Sequence, residues 1–309
     1  IITFGFAYNS VQSNTICLAW QKAFGIEPAT MGIVLTALTL LIIFGGIHRV
    51  AKFSSTVVPV MAVVYLLIAV GVVVWNISCL PKVLITIVEN AFGFNQAAGG
   101  VLGVTVIQGI KRGLFSNEAG EGSAPNAAAV ATVSHPVKQG LIQALGVFTD
   151  TLVVCSCTAF IILVSGVDIT ASNGIQLTQD ALTHEIGSIG NPFVAVMIWL
   201  FAFSSIIGNY YYGETNVRYI KDSKLGVFVY RLAVAAMVMT GAVVSLDFAW
   251  SFADITMALL TLCNLVAIVL LSRQAVFLLQ DYRKQKKEGR NPVFTKDKMP
   301  EIADKLEAW

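Results

Sequence analysis

Charge is what this sequence has least of. Asp, Glu, Lys and Arg make up 12% of its 309 residues and apolar residues 56%, whereas soluble domains are about 25% charged. A soluble globule of this composition could not cover its surface with polar groups, so that class is excluded. A bilayer solvates apolar side chains directly, and the chain reads as a bundle of spanning helices. Histidine is almost missing: His48, His135 and His184 lie near segment ends, with no zinc-ligand spacing around them. There is no nucleophile elbow, and the Gly-rich stretch lacks the Gly-Lys-Ser/Thr ending of a phosphate loop. Enzyme chemistry is therefore not expected; no catalytic residue and no cofactor is assigned. The five cysteines give no disulfide framework, since Cys17, Cys155, Cys157 and Cys263 lie in apolar runs, where Cys acts as a small hydrophobe. Strict polar–apolar alternation is also missing, which argues against a β-barrel. The chain opens Ile-Ile-Thr, with no charged region before a short apolar run; it reads as starting inside a longer sequence and not as a signal peptide.

Eight segments approach the roughly 20 apolar residues that a spanning helix needs. They are Ile1 to Trp20, Met31 to Gly46, Val57 to Trp75, a weaker and broken one from Gly99 to Val133, Gly140 to Val164, Phe193 to Tyr211, Val227 to Val244 and Ile255 to Leu279. Pro28, Pro59 and Pro192 mark boundaries, Pro59 in a first helical turn. Pro125 lies inside the fourth segment.

Lys and Arg set the expected orientation. The connection holding Arg49 and Lys52, the junction with Lys138, the junction with Arg218, Lys221, Lys224 and Arg231, and the tail from Arg283 to Lys305 all fall on one side of an eight-span bundle. That side is read as the cytoplasm. The other side carries only Lys22 and Lys82 and the acidic loop from Ser165 to Asn191. The basic tail reads as a solvated end that enforces topology. Its acidic residues, such as Glu288 and Asp297, and its lack of aromatic platforms argue against nucleic acid as a partner; membrane lipid is the expected one.

The polar residues cluster in the fourth segment. From Gly109 to Asn126 it combines Gly109, Gly113, Gly120 and Gly122 with Ser116, Asn117, Ser123 and Pro125. Glycine is a poor interior helix residue, Ser and Asn compete for backbone bonds and Pro removes a donor. A helix broken between Gly113 and Gly122 is expected. Freed peptide groups cannot face lipid; facing a cavity, they bind a carboxylate at a helix N-terminus or a cation through carbonyls. Lys111, Arg112, Glu118 and Glu121 share the stretch, and a charge at membrane depth costs roughly 2.5–3.5 kcal/mol on insertion scales. Each should pair or line water: Glu118 as a cap of exposed amides, Glu121 with a basic neighbour, Lys111 and Arg112 beside a vestibule. All four suit structural locks or gates as well as they suit substrate contacts. Asp150, midway in the fifth segment, also needs a partner, in a proton relay or as a buried hydrogen-bonded carboxylate. In the first segment Asn9 and Gln12 either reach solute or bond between helices. In the sixth, Ser204 and Ser205 either pack or offer two hydroxyl oxygens to sodium.

The run Gly113-Leu-Phe-Ser-Asn-Glu-Ala-Gly-Glu-Gly-Ser-Ala-Pro125 resembles the signature of the sodium:alanine (alanine/glycine:cation) symporter family. Asn9 to Thr15, His135 to Gly140, Gly146 to Thr151, Phe201 to Ser205, Tyr212 to Glu214 and Ala253 to Ile255 are similar to the family as well. The resemblance implies an all-α polytopic fold of five plus five inverted-repeat helices, of which this chain holds eight spans and lacks the first two core helices. Residues 1–96 would end the first repeat with three spans, 97–280 would form the second with five, and 281–309 would be the basic cytoplasmic tail. It implies sodium-coupled symport of alanine, glycine or another small neutral amino acid across a bacterial inner membrane. Phe115, Ser116, Asn117 and Gln12 would contact substrate and Ser204 and Ser205 the ion, with Glu118, Glu121 and Asp150 as gating or structural charges. Tyr8 stands where many members have Gly, and Glu121 where Leu is frequent. A proton-coupled or exchange transporter of the same fold, and an uncoupled channel, remain as alternatives.

Overall fold

The computed structural model describes residues 1–45, 47–91 and 99–306, and these are helical with no strand among them. The expected end of the second span at Gly46, and the approach to the fourth at 92–98, lie outside the described residues. A π-helical stretch, Ile2–Tyr8, leads into α1 (Asn9–Phe24). Then come α2 (Pro28–Ile43), α3 (Ile47–Trp75), α4 (Leu80–Ala91), α5 (Gly99–Asn117), α6 (Ala124–Ala128) and α7 (Pro136–Thr149). A second π-helical stretch, Asp150–Cys155, joins α7 to α8 (Ser156–Ser165). The chain continues through α9 (Ile175–Ile186), α10 (Gly190–Ile220), α11 (Lys224–Val243) and α12 (Leu246–Lys287).

Several expectations are corrected. Pro59 lies inside α3, which begins ten residues before the expected span. Pro192 sits within the first turn of α10, where an absent N–H costs nothing. The acidic loop contains a helix, α9. The last helix runs on to Lys287 instead of stopping near Leu279, because Gln280 to Lys287 are good helix formers.

Five helical stretches among the described residues are long and apolar enough to cross a membrane: Val58–Trp75, Pro136–Ser165, Ile175–Ile220, Lys224–Val243 and Leu246–Lys287. The shorter Pro28–Ile43 is apolar too. The first and fourth expected spans are missing from this set because both carry many polar residues.

The chain divides into two compact units, residues 1–112 with 152–258, and 113–151 with 259–309. In the first unit α1 is a polar helix in an apolar setting. Asn9, Ser10, Ser13 and Asn14 are buried. Ser13 Oγ donates to the Val238 carbonyl at 2.7 Å, and Asn14 Nδ2 to the carbonyls of Gly241 and Val244 at 3.0 and 2.8 Å. Those last two carbonyls end α11 and have no partner within that helix. Asn209 on α10 donates to Asn9 Oδ1 at 3.2 Å. Such bonds average about 0.6 kcal/mol each in membrane bundles, so they select register more than they supply stability. Around them Ile16, Leu35, Phe203, Ile206, Tyr230, Val234 and Val238 form the core. A second cluster, with Val72, Ile161, Leu182 and Val194, joins α3, α8, α9 and α10. Lys22 holds α9 through Asp180 at 2.6 Å, and buried Gln179 donates to the Ala19 carbonyl.

In the second unit α7 begins at His135, whose Nδ1 accepts from the Val137 N–H. The proton on its ring therefore lies on Nε2, which donates to Asp281 Oδ2 at 3.2 Å.

The approach of α1 to α11 depends on Gly241, where a Cβ would lie 2.5 Å from the backbone of Ser10. Gly241→Ala should destabilise the protein by roughly 1–3 kcal/mol through overpacking, read as a lower unfolding temperature in detergent. Gly146→Ala, with nothing within 4 Å of its added carbon, should leave that temperature unchanged or raise it.

Candidate functional site

The break in the fourth segment is real, and it starts later than expected. Gly113 is helical, α5 ends at Asn117, and the chain turns between residues 118 and 123 before α6. Three residues there have left-handed backbone: Glu118 (φ 53°), Gly120 (φ 88°) and Gly122 (φ 96°). Glycine accepts this conformation without strain; Glu118 does not. Asn117 Oδ1 accepts the Ala119 N–H at 2.9 Å. The capping role expected of Glu118 thus belongs to Asn117, whose short amide reaches two residues on. Asn264 Nδ2 donates to the Gly120 carbonyl at 2.8 Å. Asn126 Nδ2 donates to the carbonyls of Gly122 and Ser123, each at 3.1 Å. Glu121 is fully buried in the turn.

The last turn of α5 is tied to the start of the π-helical stretch. Ser116 Oγ donates to Asp150 Oδ2 at 2.5 Å, and Asn117 Nδ2 to Thr151 Oγ1 at 2.9 Å. Ser116 is thus one partner of Asp150. The extra residue of a π turn displaces side chains from their α-helical faces, and such turns occur often at functional sites. Phe115 is half-buried beside these two. This unit therefore brings together Ser116, Asn117 and Asp150 of the expected set, with Thr151 and Asn264 in addition. Asn264 was missed, although a lone amide in the apolar run after Ile255 was its visible signal.

The first unit carries the rest. Gln12 is half-buried on α1 and, among the described residues, its amide makes no hydrogen bond, unlike its buried polar neighbours. Ser204 and Ser205 on α10 both donate to the Phe201 carbonyl, at 2.8 and 3.1 Å. Their protons are engaged, which leaves oxygen lone pairs for a cation. Tyr8 is buried edge-on to Phe4, with ring centroids 4.9 Å apart. Lys111 and Arg112 share Asp254, at 3.4 and 2.5 Å, and the Arg112 guanidinium lies 4.1 Å from the Trp250 ring centre. One carboxylate thus offsets one of the two positive charges, and the Trp250 ring face lies under the Arg112 guanidinium.

Gly122→Ala would force a Cβ at φ 96° to within 2.9 Å of Asn264. A strain of roughly 1–3 kcal/mol is expected, with a lower unfolding temperature and loss of function. Gly140→Ala, whose added carbon meets nothing within 4 Å, should behave as the unmodified protein in both assays.

A family model described as the sodium:alanine symporter family matches residues 1–296. The chain is 54% identical over 297 residues to the probable sodium/glutamine symporter GlnT of Bacillus subtilis (strain 168), covering 96% of this chain and 62% of that protein. It is 51% identical to the amino-acid carrier protein AlsT of the same organism, covering 100% of this chain and 66% of the relative. It is 40% identical to that organism's putative sodium/proton-dependent alanine carrier protein YrbD, covering 95% and 64%. The chain thus spans less than two thirds of the length of each. With the broken helix and its signature run in place and the match extending over nearly every residue, this chain belongs to the sodium:alanine symporter family.

Proposed function

We propose that the protein containing this chain is a sodium-coupled symporter of a small neutral amino acid, alanine or glycine, in a bacterial cytoplasmic membrane. On this reading it carries out no covalent chemistry and needs no cofactor. The membrane reading includes eight spans, arranged as the end of one inverted repeat and the whole of a second, with the basic tail in the cytoplasm. The observation that carries the proposal is the break at 118–123, which frees peptide groups beside side chains that position them. Phe115, Ser116 and Asn117 take substrate contacts, and so does Gln12. Ser204 and Ser205 contribute oxygen ligands to sodium. Asp150, through Ser116, holds the end of α5 in place. Sodium stabilises the shape that takes up the amino acid, and the coupling is reciprocal, each ligand raising the affinity for the other.

The names of the relatives bear on two finer points. One is named for glutamine and another for alanine, and alanine differs from glycine by a single methylene, worth only about 1–3 kcal/mol in a pocket. A panel of alanine, glycine, serine and glutamine competing for labelled alanine uptake therefore sets the substrate. A second reading, proton coupling, draws on the relative named for sodium and protons and on Asp150 as the carboxylate bonded to the end of α5.

In proteoliposomes of the full-length protein, an inward sodium gradient should drive saturable alanine or glycine uptake, and equal uptake without sodium would overturn the proposal. Ser204→Ala and Ser205→Ala should each raise the sodium concentration for half-maximal uptake by about tenfold, the loss of one good ligand. If uptake instead follows a pH gradient at zero sodium and Asp150→Asn abolishes it, proton coupling is correct.

A further inference from the structure

The tail beyond α12 is folded, and it builds a pocket. Residues 288–299 turn back on the start of α7. The Phe294 N–H donates to the Ser134 carbonyl, and Ser134 Oγ to the Pro292 carbonyl, both at 2.9 Å. Lys138 Nζ donates to Asn291 Oδ1 at 2.7 Å. The side-chain amide of Gln285 pairs with both backbone groups of Val293 at 2.9 Å. Phe294 is buried edge-on to fully buried His135. Lys298 Nζ closes the loop on Asp281 at 2.9 Å and on the Val293 carbonyl at 3.0 Å. A basic tail read as merely solvated is thus pinned by at least six side-chain or backbone bonds.

Between this tail and α12 lies a cavity of about 160 Å³ lined by Arg273, Gln274, Phe277, Lys298, Met299, Pro300 and Glu301. Its charges are of two kinds. Lys298 is already neutralised by Asp281. Arg273 and Glu301 are exposed and make no ion pair among the described residues. The pocket therefore offers one available cation, one available anion and an apolar wall of Phe277, Met299 and Pro300. The side-chain oxygen of Gln274 is buried without a donor among the described residues.

Arg273 also follows a long uncharged run. The residues from Ile255 to Ser272 carry no charge between Asp254 and Arg273. That run spans roughly 27 Å at 1.5 Å per residue, close to the roughly 30 Å of bilayer hydrocarbon. On the membrane reading proposed above, Arg273 falls at the level of a leaflet's phosphates, and arginine suits phosphate oxygens.

We propose that this pocket binds the headgroup of a zwitterionic phospholipid bearing a primary ammonium, that is, an ethanolamine phospholipid. Arg273 takes the phosphate, Glu301 takes the ammonium, and Phe277 and Met299 cover the glycerol region. Because hydrogen bonds hold the tail in place beforehand, binding orders little further chain, which favours affinity. The bound lipid joins the tail to α12.

The test uses the full-length protein in nanodiscs containing equal amounts of phosphatidylcholine, phosphatidylethanolamine and phosphatidylglycerol, with retained lipid counted by native mass spectrometry. Phosphatidylethanolamine should be retained selectively. Arg273→Ala and Glu301→Ala should each reduce that retention by about tenfold, as expected for one charge-assisted hydrogen bond, while Lys284→Ala, outside the pocket, should not. Soluble phosphoethanolamine should displace the lipid. Preferential retention of phosphatidylglycerol would mean that phosphate charge alone is read and would overturn the proposal. Displacement by millimolar alanine would overturn it in favour of an amino-acid site. Lipid retention is read without transport, so it fails or succeeds independently of the symport assay.

Discussion

A peptide group released from a helix must find another partner, and in hydrocarbon the cost of failing is several kcal/mol per group. The turn at 118–123 is organised around that constraint. Asn117 takes the first freed N–H, Asn264 donates to the Gly120 carbonyl, and Asn126 donates to two more carbonyls. Gly120 and Gly122 supply the left-handed backbone that lets the chain turn in so few residues. Short amides do this work because they carry a donor and an acceptor: Asn117 and Asn126 reach nearby backbone, and Asn264 reaches the turn from α12. The result is a turn whose freed peptide groups are held by side-chain bonds.

The same economy appears away from the break. In the first unit, polar side chains of α1 meet carbonyls at the end of α11, so that the terminus of one helix is satisfied by the body of another. Gly241 allows the backbones to come close enough for this. Lys111, Arg112 and Asp254 form a compact group in which one carboxylate serves two cations, and Arg112 lies over the Trp250 ring. In the second unit, the Asp150 carboxylate is hydrogen-bonded by the Ser116 hydroxyl.

The tail follows a different rule. Many of its charged side chains are exposed, yet Lys298, Asp281, His135 and Gln285 bind it into a defined shape. Phe294, buried beside His135, supplies the apolar contact that an extended basic tail would lack.

Much of this was legible in the residues themselves. Scarce charge and long apolar runs dictate membrane helices, because each helix satisfies its own backbone and needs no knowledge of its neighbours. Gly, Asn and Pro near 113–126 dictate a break, since their preferences are local. Tertiary structure alone decided which polar residues became partners. That Ser13 and Asn14 bond between helices while Gln12 does not, and that Ser116 answers Asp150, depend on the rotation of one helix against another. A one-dimensional pattern does not encode that rotation. The docking of α9 and the folded tail were hidden for the same reason: each is held by contacts between residues more than 100 positions apart, such as Gln179 with Ala19 and Phe294 with Ser134.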